Sequence, residues 1–329
     1  MKNLLFSLVV LPFFLISCGG GNKSTKTLKD QPKKLVKIPD FNADSAYYFV
    51  QKQVDFGPRT VGSESHEVCA KWLVKKFNQY SDTVIVQPFK ARTYDNVTRN
   101  AKNIIASINP ENPNRLLLMA HWDTRPFADH DKDASLHNTA IDGANDGASG
   151  VGVLLEMARL FKKQKPEIGV DIVLFDLEDW GPPSDKQMYE NEFWGLGSQY
   201  WSKTPHTLGY TARYGILLDM VGAKNPKFLR EGYSDRYAGF VMNIVWNTAA
   251  ELGYGDYFLN QQGYPLTDDH YFVNTIANIP SIDIIHMDRN SSNGTFFEHW
   301  HTTHDTMDKI DKKTLKMVGH VVSTVVYNE

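Results

Sequence analysis

The chain has 329 residues, 42% of them hydrophobic and 22% charged, which suits one large globular domain and excludes a disordered or polyelectrolyte chain. A formal net charge of -3 gives no footing to a nucleic-acid or polyanionic partner.

The first residues stand apart from the fold. Lys2 is a short basic region, residues 4–16 are an apolar core too short to span a bilayer, and Leu15-Ile16-Ser17-Cys18 closes it. Residues 1–17 therefore read as a signal peptide. Leu-Ile-Ser-Cys resembles a bacterial lipobox, which implies cleavage before Cys18 and its acylation. Two or more acyl chains anchor stably where one does not. Residues 19–37 carry three glycines and six lysines and little that is apolar, so 18–38 reads as a lipidated tether. The expected address is the bacterial cell envelope, lipid-anchored on the periplasmic side or the outer surface. With Cys18 lipidated, Cys69 is the one other cysteine and no intrachain disulfide can form.

From residue 39 onward strands and helices alternate. Asn42 or Asp44 can cap a helix that turns Ala46, Phe49, Val50 and Val54 to one face, and Ser63 can cap a second with Cys69, Trp72, Leu73, Phe77 and Tyr80. His66-Glu67 begins like an HExxH helix, but Ala70 stands where the second His must be. Strands are expected at 83–87, 103–108 and 116–120, the last two joined as a hairpin by a Pro/Asn loop. A long polar loop leads to Asp146-Gly147-Ala148-Ser149-Gly150 and a helix whose small first residues let backbone pack closely. Further strands are expected at 170–175, 214–220 and 281–285, with helices at about 237–252 and after Asp311. This pattern predicts a single α/β domain over 39–329, a central mixed and mostly parallel sheet flanked by helices.

The organising stretch is Val170-Asp171-Ile172-Val173-Leu174-Phe175-Asp176-Leu177-Glu178-Asp179-Trp180: a buried-strand run that ends in two carboxylates. Open α/β sheets bind ligands at the carboxyl ends of their strands, and adjacent residues leaving a strand point in different directions. One carboxylate can then hold a metal while its neighbour stays free as acid or base. Other strand and loop ends offer His121, Asp146, Asp219 and His301. Each alone is an ordinary polar residue; together they make the nitrogen and oxygen ligand set of zinc.

These residues resemble the zinc aminopeptidase and glutaminyl cyclase superfamily, from about Phe56 to the C-terminus. Leu217-Leu218-Asp219-Met220-Val221-Gly222-Ala223, Asp268-Asp269-His270 and Trp300-His301-Thr302 look like glutaminyl cyclases of the animal type, here in a bacterial, envelope-anchored form. The resemblance implies one zinc per chain on Asp146, Asp179 and His301, with Glu178 as general acid/base. It also implies that Asp219 and Asp269 support the proton traffic, that Trp300 and Trp180 line the substrate pocket, and that the peptide after Asp146 is cis. Two departures stand out. Asp179 fills a position that is usually Glu, and Ala120 and Ala148 occupy the neighbourhood of a cysteine pair found in animal enzymes. The implied activity is that of an acyltransferase converting N-terminal glutaminyl residues of peptides or proteins to pyroglutamate with release of ammonia.

A co-catalytic two-zinc aminopeptidase would use the same residues, with Asp146 bridging and His121 and Asp219 on the second ion. A lipoprotein that merely captures peptides would not need a complete acid/base and ligand set. No Gly-x-Ser-x-Gly elbow occurs, which disfavours a serine hydrolase. The aromatics Phe193-Trp194 and Tyr200-Trp201 are expected to pack in the core rather than line a site.

Overall fold

The computed structural model of the chain describes residues 38–186 and 191–329. Cys18 and the signal peptide lie outside the described residues. Among the described residues no helix is long and apolar enough to cross a membrane, and Cys69 is buried and free.

The first two helices start where their capping side chains allow. Asn42 accepts from the Ser45 amide ahead of α1 (Ala43–Val54), and Ser63 accepts from the His66 amide ahead of α2 (Glu64–Tyr80). Each cap satisfies a donor that the helix leaves orphaned, a contribution of about 1 kcal/mol. There follow β1 (Thr83–Arg92), β2 (Thr98–Ile108), β3 (Arg115–His121), α3 (Ala148–Lys163) and β4 (Gly169–Phe175). Then come α4 (Leu196–Lys203), β5 (Gly215–Asp219), β6 (Phe228–Arg230), α5 (Gly232–Glu251), β7 (Phe258–Gln262), α6 (Asp269–Thr275), β8 (Ser281–Ile285) and α7 (Lys312–Tyr327).

Six strands form the main sheet in the order β1-β2-β4-β3-β5-β8, and β6 and β7 make a small parallel pair beside it. β4, β3, β5 and β8 run parallel, while β2 is antiparallel to both β1 and β4. This is the expected mixed, mostly parallel sheet.

The period-2 alternation of each strand divides the interior in two. Ile104, Leu118, Ile172, Leu218 and Ile284 face α1, α2, α3, α5 and α7; Ile105, Leu117, Val173, Phe175 and Leu217 face Trp201 of α4 and Val273 of α6. With both faces covered, β3, β4, β5 and β8 are buried along their whole length.

Two expectations need correction. β2 and β3 do run antiparallel, but they do not pair: β4 lies between them and hydrogen-bonds to both. The hairpin is instead β1–β2, turning near Asn96, whose φ is 63°. The helix expected from 237 begins at Gly232, because Glu231 caps it by accepting from the Tyr233 and Ser234 amides.

Candidate active site and metal centre

The carboxyl ends of β3, β4 and β5 converge with the loops before α3 and α6 and the turn at 300–302. Around them lies a cavity of about 150 Å³ lined by Asp146, Glu178, Asp179, Trp194, Asp219, Met220, Leu266, Thr267, Asp268, Ile285, Phe296, Trp300 and His301. Its apolar walls close on a floor of carboxylates.

Each ligand candidate is held from behind. Asp146 precedes α3, and its peptide to Gly147 is cis. The Asp305 carboxylate accepts from the amides of Asn145 (2.8 Å) and Asp146 (3.0 Å), and Arg59 donates to the carbonyl of Gly143 at 2.8 Å. Gly147 is required here, since a Cβ on it would stand 2.5 Å from the His121 imidazole and carbonyl. A Cβ on Gly150 would collide with the Leu218 carbonyl, so α3 packs on β5 backbone to backbone.

Glu178 and Asp179 leave β4 in a turn that Asp123 organises. Its carboxylate accepts from the Glu178 amide (3.1 Å) and the Asp179 amide (3.3 Å). Upstream, Asp176 accepts from His66 Nε2 at 3.0 Å and from the Lys102 amide at 2.7 Å, so the rejected HExxH histidine serves to pin this turn. Leu177, Met220 and His301 all adopt left-handed backbone, with φ of 55°, 48° and 54°. Such conformations cost non-glycine residues about 1–3 kcal/mol each and gather at functional sites.

The expected triad is compact enough to hold an ion. His301 Nε2 lies 3.2 Å from Asp179 Oδ1 and 3.7 Å from Asp146 Oδ2, and ligand atoms of all three residues fall within 4.8 Å of one another. Tetrahedral zinc with bonds of about 2.0–2.2 Å needs donors roughly 3.4 Å apart. Asp179 Oδ2 is buried with no hydrogen-bond partner, an open lone pair for a metal. Burial and the neighbouring Arg125 lower the His301 pKa to about 3, which keeps its imidazole neutral and able to coordinate. Burial and the charge of Asp146 raise Asp179 well above the carboxylate range, as expected of carboxylates crowded together.

A second group, His121, Asp146 and Asp219, shares Asp146 with the first. His121 Nε2 sits 3.0 Å from Asp146 Oδ1 and 3.2 Å from Asp219 Oδ1. Despite burial, the carboxylates of Asp123, Asp146 and Asp219 hold His121 well above its ordinary pKa. In return Asp146 stays below its ordinary value against burial, through its contact with His121.

Glu178 faces the cavity, and burial, together with Asp268, Asp179 and Asp269, pushes its carboxyl well above the usual range. Asp219, raised to about 7 mainly by burial, lies on the same floor. Proton-holding groups are thus gathered where a reacting group would sit.

Two expected residues stand elsewhere. Trp180 is buried against Val61, Phe89 and Leu177, with the Arg99 guanidinium 3.7 Å above its ring, and it does not line the cavity. Trp194, assigned to the core, lines the cavity instead; Trp201 is in the core as expected. Of the Asp268-Asp269 pair, Asp268 reaches the cavity while Asp269 points into the interior, fully buried. The reason is local: Asp268 is the extended N-cap of α6 and Asp269 its first helical residue. A cap-first reading of Thr267-Asp268-Asp269-His270 would have found this. Arg125, Asp129 and Asp305 went unread because their roles depend on burial and on distant partners.

The model of peptidase family M28 matches residues 103–326. A glutaminyl cyclase of Bacteroides thetaiotaomicron, solved with N-acetylhistamine bound, is 50% identical and superposes with a TM-score of 0.87 over 89% of this chain and 100% of that one. A structure described as a leucine aminopeptidase precursor, also from Bacteroides thetaiotaomicron, is 49% identical with a TM-score of 0.86, over 89% of this chain and 99% of that one. The glutaminyl-peptide cyclotransferase of Gloydius blomhoffii is 25% identical over 295 residues, 78% of this chain and 70% of that protein. With the family match running from β2 to the last helix, across every strand end that builds the site, the chain belongs to peptidase family M28.

Proposed function

We propose that the protein is a zinc-dependent glutaminyl-peptide cyclotransferase, closing N-terminal glutaminyl residues of peptides or proteins to pyroglutamate with release of ammonia. The observation that carries this reading is the cavity. At about 150 Å³ it is small beside the ~300–1,000 Å³ of clefts that enclose drug-sized ligands, so it suits one terminal residue. Trp194, Phe296 and Trp300 wall it, and Glu178 shares its floor with the metal-binding triad. The likeness to glutaminyl cyclases supports the same reading.

Asp146, Asp179 and His301 would hold one zinc, which when bound supplies a Lewis acid for the γ-amide carbonyl oxygen. The chain's own groups do the rest. The aromatic walls seat the aliphatic part of the glutaminyl side chain and exclude water, which the reaction does not consume. Glu178 accepts a proton from the substrate's α-amine as its nitrogen bonds to the carbonyl carbon of the side-chain amide. It then delivers that proton to the amide nitrogen, whose bond to the carbonyl carbon breaks, and ammonia leaves. Burial, with the charges of Asp268 and Asp269 nearby, keeps Glu178's proton affinity high enough to hold the proton between the two steps.

The second reading, a two-zinc aminopeptidase, is favoured by one observation: the His121, Asp146 and Asp219 group could take an ion of its own. The count decides. Protein freed of adventitious metal should hold about one zinc per chain while active, and His121→Ala should leave that number unchanged. Two tightly held ions in the active enzyme, one of them lost in His121→Ala, would transfer the assignment to peptide hydrolysis.

The leader motif supports a lipid anchor at Cys18 in the bacterial envelope. Mature protein should begin at acylated Cys18 and sediment with membranes, and Cys18→Ala should release it or stall its processing. Soluble, unmodified wild-type protein with another N-terminus would end that proposal.

A further inference from the structure

Behind the metal centre lies a buried guanidinium that touches neither the cavity nor a reacting atom. Arg125 follows β3 and is 1% exposed. Its Nε and Nη2 donate to the two carboxylate oxygens of Asp129 at 2.7 and 2.8 Å, a two-pronged fork. Its remaining nitrogen, Nη1, donates to Asp179 Oδ1 and to the Asp179 carbonyl, each at 3.3 Å, while Nη2 also reaches the Pro182 carbonyl at 3.2 Å. Asp129, in turn, holds the Ser184 amide at 2.8 Å and places Oδ1 3.6 Å from His301 Nδ1. The guanidinium also lies 5.0 Å from the Trp194 ring.

We propose that Arg125 and Asp129 form a clamp that positions two of the three zinc-binding side chains, Asp179 and His301, and so sets how tightly the site holds its metal. The inference rests on the reading of Asp146, Asp179 and His301 as zinc ligands. Three features carry it. Arg125 donates to Asp179 Oδ1, the oxygen 3.2 Å from His301 Nε2, and so fixes the rotation of that carboxylate among the other ligands. Asp129 stands 3.6 Å from the His301 nitrogen that does not face the other ligands, just beyond hydrogen-bond distance, where its charge favours a proton on Nδ1 and leaves Nε2 free to coordinate. Finally, one planar fork spans both sides of the site; an ammonium, a point charge, cannot make the same set of bonds. A residue needed only to staple the loop could rely on the carbonyls of 179 and 182 and would have no reason to engage a ligand carboxylate.

The test is zinc affinity, measured by chelator competition on zinc-loaded full-length protein, beside thermal unfolding of the metal-stripped forms. Arg125→Gln should bind zinc roughly 10–100-fold more weakly than wild type, the usual cost of losing a partner behind a ligand. Arg125→Lys should recover part of that loss, and Asp129→Asn should weaken binding through His301. If Arg125→Gln does not fold, Arg125→Lys and Asp129→Asn decide by the same measurement. Folded variants that hold zinc as tightly as wild type, with only the metal-free unfolding temperature lowered, would overturn the clamp and leave Arg125 a loop staple. Wild-type protein that binds no zinc would instead overturn the ligand reading beneath it.

Discussion

Glu178→Gln should keep its fold and its zinc and lose about 10²- to 10⁴-fold in turnover, the range for removal of a positioned acid/base group. The amide is nearly isosteric with the carboxyl, and the turn does not depend on that side chain: Asp123 secures it through the backbone amides of 178 and 179. Glu178 is absent from the close ligand groups, whereas Asp179 belongs to one of them with Asp146 and His301. What the substitution removes is a site that can take a proton and return it. Metal analysis and turnover of the same preparation check this. A variant that loses its zinc would show that Glu178 and Asp179 have exchanged roles.

Asp146→Asn should have the opposite signature. Its side chain sits between the two histidines, 3.0 Å from His121 and 3.7 Å from His301, while its loop is fixed through backbone amides by Asp305. The fold should therefore survive. A neutral amide oxygen is a poorer donor to zinc than a carboxylate, so the metal should be lost at ordinary concentrations. Lewis-acid stabilisation of several kcal/mol goes with it, and turnover should fall by at least about 10³-fold. Circular dichroism with zinc analysis before and after added zinc provides the check. Full zinc occupancy with near-normal turnover would remove Asp146 from the ligand set.

Much of this arrangement was legible in the chain. The apolar run that becomes β4 declared its burial, and the paired carboxylates after it declared a strand end with chemistry. Caps at Asn42, Ser63 and Asp311 were readable because a single side chain decides them. The strands of the sheet were readable, but their order was not. A loop of six residues between Ile108 and Arg115 suggested a hairpin, yet it is long enough to step across β4, a distance of about 10 Å. Periodicity states which face a residue turns inward; it does not state which strand lies next door.

The same limit governs the site. His121, Asp146, Glu178, Asp179, Asp219 and His301 were found because each ends an element and carries a ligand or acid/base type. Trp180 and Trp194 could not be told apart by type. Gly181 follows Trp180 and is covered by the Trp194 ring, so backbone crowding after β4 puts Trp194, from a loop further along the chain, at the cavity. Arg125 and Asp129 were invisible for a different reason. Four residues apart in a polar loop, they resemble an exposed ion pair of little energetic weight until the fold buries them behind Asp179 and His301.

Zinc-loaded enzyme given a glutaminyl peptide and a leucyl peptide of otherwise equal sequence should release ammonia from the first, leave it full-length with a blocked N-terminus, and leave the second intact. Free leucine or free glutamine, with shortened peptides and no ammonia, would contradict the account and make the protein an aminopeptidase.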